Sequence, residues 1–169
     1  MKLRKLEKKD AELMLEWMHD RNVVHWLNTD FDSKTIVDCE KFIEISSFDN
    51  ENVHMAIVDE NDAYMGTVSL KHVDLEHKNA EFAITVRKMA MGKGFSAFGM
   101  SEIIKIGLEK IGLEEIYWCV SNKNVRAVRF YDKNCYTRTS NVPESILNQY
   151  DVDIQKDLIW YVVRNDVGV

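Results

Sequence analysis

Residues 52 to 86 hold three short β-rich runs in immediate succession, NVHMAIVDE, AYMGTVSLKHVD and NAEFAITV. The links between them, NDA and LEHK, are turn-like, so the runs predict an antiparallel meander. Gly92 and Gly94 follow in AMGKGFSAFG, and the apolar spacing then turns helical. Phe95, Phe98, Ile104, Leu108 and Ile111 recur along GFSAFGMSEIIKIGLEKIGL, with Gly112 placed to end the helix.

The flanks complete the pattern. A short strand near residues 2 to 6 precedes KKDAELMLEWMHDRN, where Asp10 is a candidate cap and Leu13/Trp17 and Met14/Met18 stand at helical spacing. A second helix is predicted in KTIVDCEKFIEI, capped by Ser33. Beyond the glycines, EEIYWCV is a nearly all-apolar strand of the buried kind, NKNVRAVRFYDKN a helix and DLIWYVV a last strand. The stretch YTRTSNVPESILNQYDVDIQ reads as one strand and a long loop. The order β-α-α-β-β-β-α-β-α-β-β makes a mixed α/β sheet, and 169 residues suffice for one domain, 1–169.

Composition limits the partners. A formal net charge of −6 disfavours binding that depends on neutralising nucleic-acid phosphates. Cys39, Cys119 and Cys135 lie far apart with no CxxC pair, which fits reduced thiols and a cytoplasmic location. MKLRKLEKKD has no apolar leader core and no window approaches a membrane span, so neither export nor anchoring is expected. His19 and His25 flank DRNVV without metal-ligand spacing, and no metal site is expected; Trp17 and Trp26 read as core residues.

Glycines at a helix start suit a phosphate, because the first N–H groups of a helix lack internal partners and carry the positive end of its dipole. A Walker loop is excluded, since Lys93 is followed by Gly94 and not by Ser or Thr. Gly92, Gly94 and Ala97 fit the spacing of a dinucleotide fingerprint, but they do not directly follow the strand, and the repeated βαβ units are missing. A pantetheine cofactor whose pyrophosphate rests on residues 92 to 96 needs no metal.

The segment VRKMAMGKGFSAFGMSEIIKIGLEKIGLEEIYWCVSNKNVRAVRFYDKNCY resembles motifs A and B of the GNAT superfamily of acyl-CoA N-acyltransferases. The family signature Q/R-x-x-G-x-G/A falls on Met91, Gly94 and Ser96, and N-x-R-A-x-x-F-Y-x-K-x-G-F on Asn124 through Tyr136. Met91 replaces Gln or Arg, Ser96 takes a small-residue position, and Cys135 stands where Gly is typical.

The resemblance implies a mostly antiparallel GNAT-like sheet that splays between its fourth and fifth strands, with helices on both faces. It implies acetyl-CoA as acyl donor and no metal. Main-chain groups of Ala83, Ile84, Thr85 and Val86 would hold the pantetheine arm. Met91, Gly92, Lys93, Gly94, Phe95 and Ser96 would cradle the pyrophosphate, and Asn124, Ala127 and Tyr131 would line the cofactor.

Acyl transfer from a thioester needs a neutral amine and a proton for the departing thiolate. Asn124, Ala127 and Tyr131 fall at i, i+3 and i+7 on one helix face, and a phenol can donate to a thiolate near neutral pH. Tyr131 is therefore the candidate acid, against the alternative that it only packs like Phe130. Glu81 resembles a strand glutamate that deprotonates the amine through water in some relatives, against the alternative of an exposed sheet-face residue. His72 and Glu76 are lesser candidates.

EWMHDRNVVHWL resembles the acceptor-side helix and loop of ribosomal-protein and amino-sugar nucleotide acetyltransferases. The expected acceptor is a small-molecule primary amine, such as an amino sugar or sugar nucleotide, handled by a monomer or homodimer. A protein N-terminus as acceptor, or a non-catalytic acyl-CoA-binding module, are the alternatives.

Overall fold

The computed structural model describes residues 1–27 and 29–165. Among them, strands β1 (Lys2–Lys5), β2 (Val53–Val58), β3 (Tyr64–Asp74), β4 (Asn79–Val86), β5 (Glu115–Ser121), β6 (Thr137–Arg138) and β7 (Leu158–Arg164) form one sheet. The spatial order is β1-β2-β3-β4-β5-β7-β6. The expected meander is present: β2, β3 and β4 pair antiparallel in sequence order. The mixed α/β class follows from a single parallel pair, β4 with β5, amid antiparallel neighbours.

The helices are α1 (Ala11–Met18), α2 (Arg21–Val24), α3 (Ile36–Ser46), α4 (Phe95–Lys105), α5 (Val125–Lys133), α6 (Glu144–Leu147) and α7 (Val152–Gln155). They cover both faces, as the alternation along β2 requires. Ile57 points to a core built with Phe95, Met100 and Ile103 of α4, while Ala56 and Val58 point to one built with Met14 and Trp17 of α1 and Cys39 and Ile43 of α3. Each fully enclosed Ile or Trp in these layers contributes about 1.5–3 kcal/mol of hydrophobic stabilisation. A third cluster, Tyr117, Ile146, Trp160 and Val162, fastens α6 to β5 and β7.

Local chemistry departs from the sequence reading in four places. Asp10 does not cap α1 with its side chain; its buried carboxylate accepts from Glu7 N–H at 2.9 Å and from both Nη atoms of Arg4 at 2.7 and 2.8 Å. A guanidinium fork offers stronger bonds than a helix amide. Thr35, not Ser33, caps α3 in a reciprocal box with Asp38.

The long helix is not uniform: after α4 it continues as a π-helical segment, Ile106–Ile111. There a Cβ on Gly107 would lie 2.7 Å from Ile116 Cδ1 and 3.0 Å from Leu70 Cδ1, so a larger residue would make those side chains shift for the widened turn to sit on the sheet. Finally, the expected loop after residue 136 holds β6, α6 and α7. No described helix is long and apolar enough to cross a membrane.

Candidate active site

The parallel pairing of β4 and β5 is short. Asn79, Ala80 and Glu81 face Glu115, Ile116 and Tyr117, and there the ladder stops although β4 runs on to Val86 and β5 to Ser121. Ala83, Ile84, Thr85 and Val86 remain paired with β3 on their other side. Their main-chain groups facing β5 therefore have no ladder partner, which is the opening a pantetheine arm could enter as an added strand.

The glycine turn lies past the end of β4. Gly92 and Gly94 have φ of +76° and +88°, in the left-handed region that favours glycine. Gly94 is the N-cap residue of α4 and supplies no side chain, whereas Thr35 and Asn124 close α3 and α5 with theirs. The first N–H groups of α4 are thus left for a ligand anion. The side chains of Phe95 and Ala90 turn into the core, so this stretch presents backbone rather than side chains. The Arg126 guanidinium of α5 comes within 4.0 Å of where a Gly92 Cβ would stand, adding a cation that the sequence reading did not single out.

On α5, the Asn124 side chain caps the helix by accepting from Ala127 N–H at 3.2 Å. Tyr131 is buried among Trp118, Tyr136 and Tyr161, with ring centroids 5.5, 6.1 and 5.0 Å away. Among the described residues its hydroxyl makes no hydrogen bond. Burial holds this phenol well above its ordinary value, and Cys119, Tyr136 and Tyr161 add to the effect, so Tyr131 keeps its proton at neutral pH.

Glu81 is not the exposed residue of the alternative reading: its side chain is 2 % accessible. It is the last β4 residue paired with β5, and so marks the vertex of the opening. Lys71, directly across the β3–β4 ladder, brings Nζ to 3.2 Å from Oε2, and His72 Nε2 stands 3.8 Å away. The Tyr150 hydroxyl donates to Oε1. Cys119 joins the group, its thiol pushed up to about 11 by burial.

Register places Glu81 beside Tyr117, whereas the adjacent Phe82 and Trp118 face α4 and α5. Tyr131 and Glu81 therefore approach the opening from opposite faces, and the Cys119 thiol lies near both Tyr131 and Tyr150. Glu76 lies exposed in the β3–β4 turn. His19 bonds the Lys34 carbonyl and His25 packs edge-on to Trp26, apart from the opening.

The sequence profile of the Acetyltransferase (GNAT) domain matches residues 1–136. The chain belongs to the GNAT acetyltransferase family. It is 26% identical over 152 residues to the uncharacterized N-acetyltransferase p20 of Bacillus licheniformis, covering 88% of this chain and 83% of that one. It is 24% identical over 162 residues to the spermidine N(1)-acetyltransferase of Vibrio cholerae, covering 91% and 89%. A crystal structure of the Vibrio cholerae spermidine N-acetyltransferase with CoA and spermine superposes with a TM-score of 0.79 at 20% identity, covering 96% of this chain and 94% of that one. Another structure of that protein, TM-score 0.74 at 20% identity over 98% and 94% of the chains, is described as dodecameric.

As a GNAT protein the chain is an acetyl-CoA-dependent acyltransferase, and the opening and the uncapped glycine turn fit that donor. Two residues that close around Glu81 escaped the sequence reading. Tyr150 and Cys119 carry no local signal, because their nearness to Glu81 exists only once β5 and the segment after β6 are in place. A shallow depression lined by Ile45, Phe48 and Asp49 includes none of these groups.

Proposed function

We propose that this GNAT protein transfers an acetyl group from acetyl-CoA directly to the primary amine of a small molecule, in a ternary complex. The observation that carries the reading is the placement of a protonated, buried phenol and an enclosed carboxylate on opposite faces of one sheet opening. Residues 83 to 86 and the α4 amides hold the donor, Tyr131 protonates the departing thiolate, and Glu81 takes the proton of the amine.

The Vibrio cholerae relatives favour an aliphatic polyamine over the amino sugar or sugar nucleotide expected from the sequence. A cationic acceptor also suits a net charge of −6. The dodecamer described for the Vibrio cholerae enzyme argues against the monomer or homodimer expectation, and we propose a higher oligomer here.

The test is calorimetry with acetyl-CoA followed by thiol release against spermidine, glucosamine and a peptide with a free N-terminus. Turnover is expected with spermidine. Preference for glucosamine restores the sugar reading, preference for the peptide indicates a protein N-terminal acetyltransferase, and cofactor binding without any turnover indicates a non-catalytic module.

A further inference from the structure

Glu81 cannot reach an acceptor by itself. Its side chain is 2 % accessible, Oε2 is enclosed without a hydrogen bond, and Oε1 is taken by the Tyr150 hydroxyl. Tyr150, by contrast, is only half-buried. Its ring stands perpendicular to Trp160 at 5.4 Å, and its carbonyl accepts from Gln155 Nε2 at 2.8 Å, so the residue is held from both ends. A phenol that gives its hydrogen to a carboxylate keeps its oxygen lone pairs for another donor. The group available for the ammonium N–H is therefore the Tyr150 oxygen.

We propose that Tyr150 is a catalytic proton relay between the acceptor amine and Glu81; the proposal rests on the reading of Glu81 as the base. An ammonium N–H bond breaks as an O–H bond forms on Tyr150, while the original Tyr150 O–H bond breaks and its proton joins Glu81 Oε1. The amine keeps the electron pair, Tyr150 ends as it began, and the Glu81 carboxylate becomes a carboxylic acid. Burial and the neighbouring Glu81 carboxylate raise the Tyr150 hydroxyl far above a free phenol, so the two transfers are concerted and no tyrosinate accumulates. Lys71 and His72 face the other carboxylate oxygen. Cys119 stays protonated and offers no competing base.

The experiment compares propylamine, which is protonated at neutral pH, with 2,2,2-trifluoroethylamine, which is largely neutral there. With propylamine, Y150F and E81Q should each lower kcat/KM by about a hundredfold. With the fluorinated amine both should stay near wild type. Steps in series are not additive, so the double variant should be no slower than the slower single one.

Phe keeps the ring against Trp160, and unchanged Tm and acetyl-CoA affinity guard against a folding defect. Equal losses on both amines, or multiplied losses in the double variant, overturn the relay. If E81Q is slow and Y150F is not, the relay alone fails. If E81Q is as fast as wild type with propylamine, the reading of Glu81 as base fails with it.

Discussion

Arg87 and Glu16 meet through two parallel charge-assisted bonds, Nε to Oε1 at 3.0 Å and Nη2 to Oε2 at 2.8 Å, across 71 residues of sequence. Arg87 directly follows β4 and leads into the glycine turn, while Glu16 belongs to α1 on the α1/α3 face of the sheet. The remaining guanidinium nitrogen, Nη1, donates to the Tyr64 carbonyl at 3.1 Å. The pair therefore ties the start of the glycine turn to the first helix.

Arg87→Met should cost about 2 kcal/mol, because it strands the Tyr64 carbonyl and removes a bidentate pair. Glu16→Gln should cost less than about 1 kcal/mol, since Glu16 is half exposed and water screens its charge. Urea unfolding of both variants separates the two. Arg87→Met should also raise the KM for acetyl-CoA more than it changes kcat, and an unchanged KM would show that the tie does not shape the loop.

Gly94→Ala tests the donor site itself. At φ +88° an L residue is strained by about 1–2 kcal/mol, which the turn can relieve only by changing shape. Space is not the obstacle, for the nearest atom to an added Cβ is Met1 Cε at 3.8 Å. Calorimetry should register a loss of about tenfold or more in acetyl-CoA affinity. Arg126→Ala should weaken binding further as salt is lowered, relative to wild type, because its contribution is unscreened charge.

Tyr131→Phe should lower turnover by about a hundredfold while leaving acetyl-CoA affinity intact. Stability should change by less than about 1 kcal/mol, because no hydrogen bond of the hydroxyl is lost. Since the phenol is held above its ordinary value, the wild-type kcat profile should show no alkaline limb from Tyr131 below about pH 10. A large loss of affinity with unchanged turnover would remove Tyr131 from the role of acid.

All six tyrosines are raised by burial, Tyr117 to about 12 and Tyr64, Tyr131, Tyr136, Tyr150 and Tyr161 in the same direction. The unfolded chain ionises near pH 10 while the native one does not, so the stability these groups supply is complete below about pH 10 and is lost as pH rises through the folded values. For the deeply buried Tyr64 and Tyr131 the loss should approach about 1.4 kcal/mol per pH unit each. Ultraviolet titration should show tyrosinate appearing together with unfolding rather than before it.

The meander and the glycine turn were legible in sequence because period-two alternation and left-handed glycines are local properties. The uses of Asp10 and Glu81 were not. Asp10 looks like a helix cap, and only the arrival of Arg4 turns its carboxylate elsewhere. Glu81 reads equally as a solvated strand residue until Lys71, Tyr117 and Tyr150 close around it. Tyr150 sits in a stretch without periodicity, 69 residues from its partner, so no spacing rule reaches it. The position of Tyr131 on α5, on one face with Asn124 and Ala127, was readable for the opposite reason: it depends on helix geometry alone, whereas the capping role of Asn124 emerged only in the structure.

Cys135 closes α5 in a left-handed conformation, φ +59°. Its N–H donates to the Asp132 carbonyl at 3.0 Å and the next N–H, of Tyr136, to the Tyr131 carbonyl at 3.2 Å, the paired bonds of a Schellman ending. The Tyr136 ring also packs against the Tyr131 ring, the apolar contact that accompanies this motif. Glycine meets this geometry without strain, whereas cysteine is held there at a cost of about 1–2 kcal/mol. Part of the gain from Cys135→Gly is offset by the freer unfolded chain, so a net stabilisation of about 0.5–1 kcal/mol is expected. Because the exposed thiol touches neither Tyr131 nor Glu81, turnover should be unchanged. Thermal and urea unfolding of C135G measure the effect, and a lower Tm would mean that the cysteine side chain makes a contact that outweighs the backbone strain.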